Sequence, residues 1–231
     1  MTRQEEKADR FRALHAGEAF VIPNPWDTGS ARVLAALGFE ALATTSSGFA
    51  FTLGRLDGNV TLDEVIEHTT ALDHATDLPI SVDLENGYGP EPEDAALAIT
   101  RAAEAGAVGG SIEDYDPGGF LYELDHAVER VAAAVEAARG LGFPFVLTAR
   151  AENHIRGNPD LQDTIARLRG GGYSLDGVRE VVEAAFGIPV LDRAADGARL
   201  GDAGDGQGGL LRAVAVAVLE VDRDRELRRV A

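Results

Sequence analysis

Apolar and polar positions alternate between two regimes along the chain. Short apolar or β-branched runs, AFVIP (19–23), FEALATTS (39–46), LPISVDLE (78–85), VGGSIED (108–114) and FPFVLTARAE (143–152), predict strands. Between them lie TGSARVLAALG, TLDEVIEHTTALDHAT, PEDAALAITRAAEAGA and ELDHAVERVAAAVEAARGLG, with apolar residues at helical spacing, several closing on glycine. Strand–helix repetition with this short period predicts a parallel sheet. It favours an α/β fold of the (β/α)8 TIM-barrel type over a doubly wound sheet. No GxGxxG or P-loop follows any of these runs, which argues against nucleotide binding.

The pattern thins in the second half. SLDGVREVVEAAFG predicts a helix and IPVLD (188–192) a strand, but RAADGARLGDAGDGQGG carries little that could enter a core. LLRAVAVAVLEV (210–221) fits a final helix or an apolar strand, since a short Ala/Val run has no decisive period. Six strands and a seventh ambiguous one fall short of a full barrel, which takes eight strands and about 250 residues. The expectation is one TIM-barrel-like domain over 1–231, modified around the sixth and eighth strands. It begins with an N-terminal helix (1–18), has an irregular, shortened region at 170–209 and ends in a C-terminal helix (210–231).

Composition narrows the chemistry. A chain of 231 residues with 45% hydrophobic content suffices for one core, and a net charge of −18 argues against a nucleic-acid partner. The absence of cysteine excludes disulfides, thiolate metal sites and a cysteine nucleophile. The N-terminus is charged and helix-like, and no stretch has the length and apolarity to span a bilayer, so a cytoplasmic protein without a membrane partner is expected.

In such a barrel chemistry gathers where strands end. Those ends carry Asn24, Trp26 and Asp27, then Thr45, Ser46, Ser47 and Gly48 with Arg55 and Asp57 in the loop. Asp83 and Glu85, Glu113 and Asp114, and Arg150, Glu152 and Asn153 follow. Asp83 and Glu85 are two apart, so a strand continuing through both would point them the same way. Any one acid alone is ordinarily a helix cap or a solvated loop residue. Acids at successive strand ends, with almost no histidine, suit a hard divalent cation, and Mg²⁺ prefers oxygen ligands and keeps several waters. Ser47-Gly48-Phe49 reads either as a plain turn or as backbone N–H groups for an anionic oxygen. Arg150 reads as a structural ion-pair partner or, more in keeping with its place, as a planar clamp for a substrate carboxylate. His15, His68, His74 and His126 fall in helical segments and read as packing residues, while His154, just after TARAEN, is the one histidine placed where it could reach the mouth.

Together NPWD, TTSSGFAFTLGRLDG, DLENGYG, SIEDYD and TARAEN resemble the isocitrate lyase/phosphoenolpyruvate mutase superfamily, from about 19 to 168. The likeness is greatest to its small, bacterial, mutase-like members. The resemblance implies a Mg²⁺-dependent enzyme, with Mn²⁺ as an alternative metal, acting on a 2-oxo acid or related carboxylate through an enolate. It implies Asp83 as the direct metal ligand, with Asp57, Glu85 and Glu113 holding the metal's waters. It places Ser47, Gly48, Phe49, Arg150 and Trp26 on substrate and gives Arg150, Ser47 and Glu113 the catalytic roles. Members commonly form dimers or tetramers, so a homo-oligomer is expected.

Departures matter equally. The lyases carry a Lys-Lys-Cys-Gly-His loop where this chain has DYDPGGFLYE, and the longer gating loop of the mutases and phosphonopyruvate hydrolases is also missing. That favours decarboxylation or C–C cleavage of a small 2-oxo or 2-hydroxy (di)carboxylate over P–C bond chemistry. A catalytically impaired 2-oxo-acid-binding relative is the principal alternative. A coincidental match by another acid-rich barrel, such as a pyruvate-type aldolase, is a weaker one.

Overall fold

The computed structural model describes residues 1–16 and 18–170, and the backbone of 215–220; for 169–170 only the backbone is described. Four strands, β1 (Leu42–Ala43), β2 (Ile80–Asp83), β3 (Gly109–Glu113) and β4 (Val146–Ala151), pair in chain order and all in parallel. Helices α1 (Arg3–His15), α2 (Thr28–Ala36), α3 (Ser46–Thr52), α4 (Leu62–Ala75), α5 (Pro92–Glu104), α6 (Leu124–Arg139) and α7 (Leu161–Gly170) precede or connect the strands. This is the α/β, TIM-barrel type of architecture that the spacing predicts.

The helices form for local reasons. Thr2, Asp27 and Thr61 each accept the backbone N–H three residues on and open α1, α2 and α4. Along α5 the buried residues are Ala95, Ala98, Ile99, Ala102 and Ala103, one continuous apolar stripe. These small side chains let α5 and α6 lie close together and cover Ile80, Val82, Ile112 and Leu147 of the sheet.

The first expected strand, 19–23, is not in the ladder. Phe20 and Ile22 pack on Ala8, Phe11, Val108 and Val146, and the segment's one backbone bond to β1 runs from Ala43 N to Pro23 O at 3.1 Å. Prolines 23 and 25 cannot donate to a ladder, which limits pairing here. The second expected strand shortens to Leu42–Ala43, because Thr45 turns to cap α3.

Residues 215–220, expected within a C-terminal helix, form instead a strand, β5 (Ala215–Glu220), antiparallel to β4. A run of Ala and Val costs little in either state. Here the backbone donors and acceptors on the outer side of β4 decide, since they need partners. The expected helix 174–187, strand 188–192 and the flanks of β5 lie outside the described residues. No described helix is long and apolar enough to cross a membrane.

Candidate active site

The parallel strands end at one edge, and their inward positions line one cavity of about 840 Å³. Ser81 and Asp83 of β2, Ser111 and Glu113 of β3, and Thr148 and Arg150 of β4 all face it, with Glu152 just beyond. Register sets Asp83 beside Ser111, Ser111 beside Thr148, and Glu113 beside Arg150. Hydroxyl side chains therefore form the middle of the cavity and charged groups its rim. Phe11 and His15 of α1 reach the opposite end. Gly109 makes room there, since a Cβ would lie 2.6 Å from the Phe11 ring and 2.9 Å from Val146 O.

Glu85 does not arrive by strand alternation. β2 ends at Asp83, and Glu85 has a left-handed φ of +46°, as does Tyr88 at +61°. A bulky residue there costs roughly 1–3 kcal/mol, so its surroundings must hold it. Arg130 does so. It sits on the buried stripe of α6, 2% exposed, and donates to the carbonyls of Asn86, Gly89 and Glu91, the last two at 2.8 Å. Its guanidinium also lies over the Tyr122 ring, 4.7 Å from the centroid.

Asp83 is held from three sides. Its Oδ2 accepts from Ser46 N at 3.0 Å, its Oδ1 from Glu85 N at 3.3 Å, and its own N–H donates to Thr44 Oγ1 at 2.8 Å. Arg150 pairs closely with Glu113, lies 3.0 Å from Glu152 and 3.9 Å from Asp83. Among the described residues the lining holds five carboxylates, Asp57, Asp83, Glu85, Glu113 and Glu152, against the two guanidiniums of Arg150 and Arg156.

That imbalance appears as retained protons. Burial, reinforced by Glu152, Asp83 and Glu85 and only partly offset by Arg150, pushes the Glu113 carboxyl up to about 8. Burial, with Asp83 and Asp57, pushes Glu85 up to about 7. Glu85 Oε1 is buried and has no hydrogen-bond partner among the described residues. An orphaned carboxylate oxygen amid excess negative charge fits a divalent cation. Among the described residues no three acidic or histidine side chains form a ready-made cage. Mg²⁺ does not require one, because a single direct carboxylate with waters and substrate oxygens completes its octahedron.

Asp57, Asp83, Glu85, Glu113, Ser47 and Arg150 are thus brought together on one cavity wall. Trp26, Gly48 and Phe49, expected on substrate, do not line it. TTSSGF folds as the start of α3, so Gly48 N donates to Thr45 Oγ1 (3.3 Å) and Phe49 N to Thr45 O (3.0 Å). Phe49 stacks on His68 with centroids 4.0 Å apart, and Trp26 packs edge-on against Phe51. Gly48 is a packing requirement, for a Cβ there would meet the Trp26 ring at 2.5 Å.

Other strand-end residues also have structural duties. Asp27 caps α2, Arg55 pairs with Glu64 at 2.8 Å, and Asp114 points outward to Arg167 at 3.2 Å. His154 does not line the cavity, whereas His15 does, with its ring set edge-on between Phe11 and Phe20. Sequence reasoning left out Ser81, Ser111 and Thr148, although each lies two residues before a chosen site residue and shares its face. Tyr115 and Arg156 were also missed; they come from loops, where no period points inward.

The family whose sequence model matches residues 11–170 is described as phosphoenolpyruvate phosphomutase. A Burkholderia cenocepacia J2315 protein, crystallised under a provisional lyase/mutase description, is 49% identical with a TM-score of 0.73, covering 79% of this chain and 72% of that one. The 2-methylisocitrate lyase of Halalkalibacterium halodurans is 31% identical over 174 residues, 71% of this chain and 56% of its own. An oxaloacetate acetylhydrolase solved with its product oxalate is 26% identical with a TM-score of 0.68, covering 77% and 68%. The chain spans about half to three-fifths of the length of the first curated relatives it matches, 48% to 61%.

Proposed function

Since the chain belongs to the phosphoenolpyruvate phosphomutase family, we propose that it is a Mg²⁺-dependent lyase for a small 2-oxo or 2-hydroxy (di)carboxylate. It would break a C–C bond, by cleavage or decarboxylation, through an enolate. The superfamily consists of Mg²⁺-dependent lyases and mutases acting on 2-oxo acids. The observation that carries the reading is the excess of buried carboxylates around Arg150, with Glu85 Oε1 left unpartnered.

Asp83 would hold the ion directly, and Asp57, Glu85 and Glu113 would hold its waters. The bound ion supplies a Lewis acid for the negative charge of an enolate. The protein's own residues do the rest. Arg150 is kept in one orientation by Glu113 and Glu152, and the remaining N–H donors of its five-donor guanidinium would serve a substrate carboxylate. Ser47 offers a hydroxyl from the wall. Glu113, whose carboxyl burial pushes up to about 8, would serve as a carboxylate acceptor beside a bound cation.

One feature favours the alternative of a binding protein with little turnover. The edge of β4 is occupied by antiparallel β5, where a further parallel strand would bring another loop to the mouth. The test is calorimetric titration of Mg²⁺ and then oxalate, followed by pyruvate release from a panel of 2-oxo and 2-hydroxy diacids. The lyase reading expects Mg²⁺-dependent oxalate binding, abolished in Asp83→Ala, and turnover on at least one diacid. Binding without turnover selects the alternative. Mg²⁺ binding that survives Asp83→Ala unchanged defeats the site assignment.

A further inference from the structure

Arg156 stands at the mouth with an ion-pair neighbour but no side-chain hydrogen bond among the described residues. After β4 the chain curls back, Ile155 N and Arg156 N both donating to Glu152 O at 3.0 and 2.9 Å. This turn lays the guanidinium over the Tyr115 ring, 3.6 Å from its centroid. Arg156 Nε is buried without a hydrogen-bond partner, and its nearest carboxylate oxygen, Glu152 Oε2, is 3.9 Å away, beyond hydrogen-bond range. Across from it lies the loop at Gly118 and Gly119, where a Cβ on Gly119 would sit 3.5 Å from Arg156 Nη1. The guanidinium is therefore fixed by a ring, faced by glycine, open to the cavity, and makes no side-chain hydrogen bond among the described residues.

Glu152 relates its position to that of Arg150. Glu152 lies 3.0 Å from Arg150 Nη2 through one oxygen and 3.9 Å from Arg156 Nε through the other, so the two cations flank a single carboxylate. With its proximal carboxylate on Arg150, a three-carbon 2-oxo acid would end on the Arg150 side, whereas a four-carbon diacid would carry a second carboxylate toward Arg156, which lines the same cavity. Stacking on Tyr115 holds the planar guanidinium in one orientation and limits the entropy lost on binding.

We propose that Arg156, shelved on Tyr115, is a specificity-determining residue that receives the distal carboxylate of a four-carbon 2-oxo or 2-hydroxy dicarboxylate. The proposal rests on the lyase-type site described above, with Arg150 taking the proximal carboxylate. It distinguishes diacids from monoacids at a position that neither the metal ligands nor Arg150 control.

The test pairs lactate with malate, which share a 2-hydroxy acid head and differ by the distal carboxylate, each titrated calorimetrically into the full chain with Mg²⁺. Oxalate, which does not reach Arg156, serves as the reference ligand. Wild type is expected to bind malate roughly ten- to a hundredfold tighter than lactate, the value of a charge-assisted hydrogen-bonded pair. Arg156→Gln should collapse that ratio toward one while oxalate affinity changes by a smaller factor than malate affinity, and Arg156→Lys should keep part of the ratio. A malate/lactate ratio near one in wild type, or a ratio that Arg156→Gln leaves intact, overturns the proposal. So does an equal loss of oxalate binding in Arg156→Gln, which marks a structural role. Failure of wild type to bind oxalate at all is a different result: it removes the lyase-type reading itself, and this inference with it.

Discussion

Withdrawing divalent cations should make the protein less stable as pH rises through neutrality. The perturbation acts on Glu113 and Glu85, whose ordinary value is 4.5 and whose folded values are about 8 and about 7. A folded value above the unfolded one means that the folded state holds the proton more tightly. The associated stability is fully present below pH 4.5 and is lost as pH rises to about 7 and then 8. At about 1.4 kcal/mol per unit, Glu113 alone corresponds to about 4–5 kcal/mol. The two carboxyls repel each other and share Asp83, so their effects overlap and do not sum; the expected total stays near that of Glu113 alone, about 4–5 kcal/mol. For a chain of this size that is a fall in melting temperature on the order of 10 °C.

The assay is differential scanning calorimetry between pH 5 and pH 8 in EDTA, repeated with millimolar Mg²⁺ and with Glu113→Gln. His68, held below its ordinary value by burial, works in the opposite direction below neutrality, so the informative quantity is the slope relative to Glu113→Gln. Mg²⁺ should restore much of the loss at pH 8 and little at pH 5, where the carboxyls are already neutral. Equal slopes for wild type and Glu113→Gln in EDTA, or an Mg²⁺ effect as large at pH 5 as at pH 8, would falsify the account of crowded carboxylates.

Three further expectations follow from the same structure. Glu85→Gly removes a non-glycine residue at φ +46° and a buried carboxyl, so the metal-free protein should gain about 1 kcal/mol in urea denaturation while Mg²⁺ affinity falls; a destabilised variant contradicts this. Asp73→Ala strands Lys7, 2% exposed and 2.6 Å from Asp73, and should cost about 3–5 kcal/mol; adding Lys7→Met should recover much of it, as a double-mutant cycle will read. Gly48→Ala pushes a Cβ to 2.5 Å from the Trp26 ring and should cost about 1–3 kcal/mol of stability, visible as a lower melting temperature, without loss of bound Mg²⁺.

What the amino-acid order determined by itself was the periodic part of the molecule. Alternation from Ser81 to Asp83, Ser111 to Glu113 and Thr148 to Arg150 is a property of the pleat, so acids and an arginine two residues beyond a hydroxyl arrive on one face wherever the strands pair. The helical stripes between them, such as Ala95 to Ala103, then require a parallel sheet to cover. The tertiary structure decided what period cannot express. Glu85 reaches the cavity through a left-handed turn that a distant arginine, Arg130, holds in place, and not through the strand that its spacing from Asp83 suggests. The amides expected to receive substrate at Gly48 and Phe49 are taken by the helix that their own segment forms. Residues 215–220, short and rich in Ala and Val, took strand geometry from the open edge of β4. Arg156 meets Tyr115 only because two loops, 41 positions apart, close over the same mouth. Such contacts depend on where the chain turns, and their energy comes from partners far away in sequence.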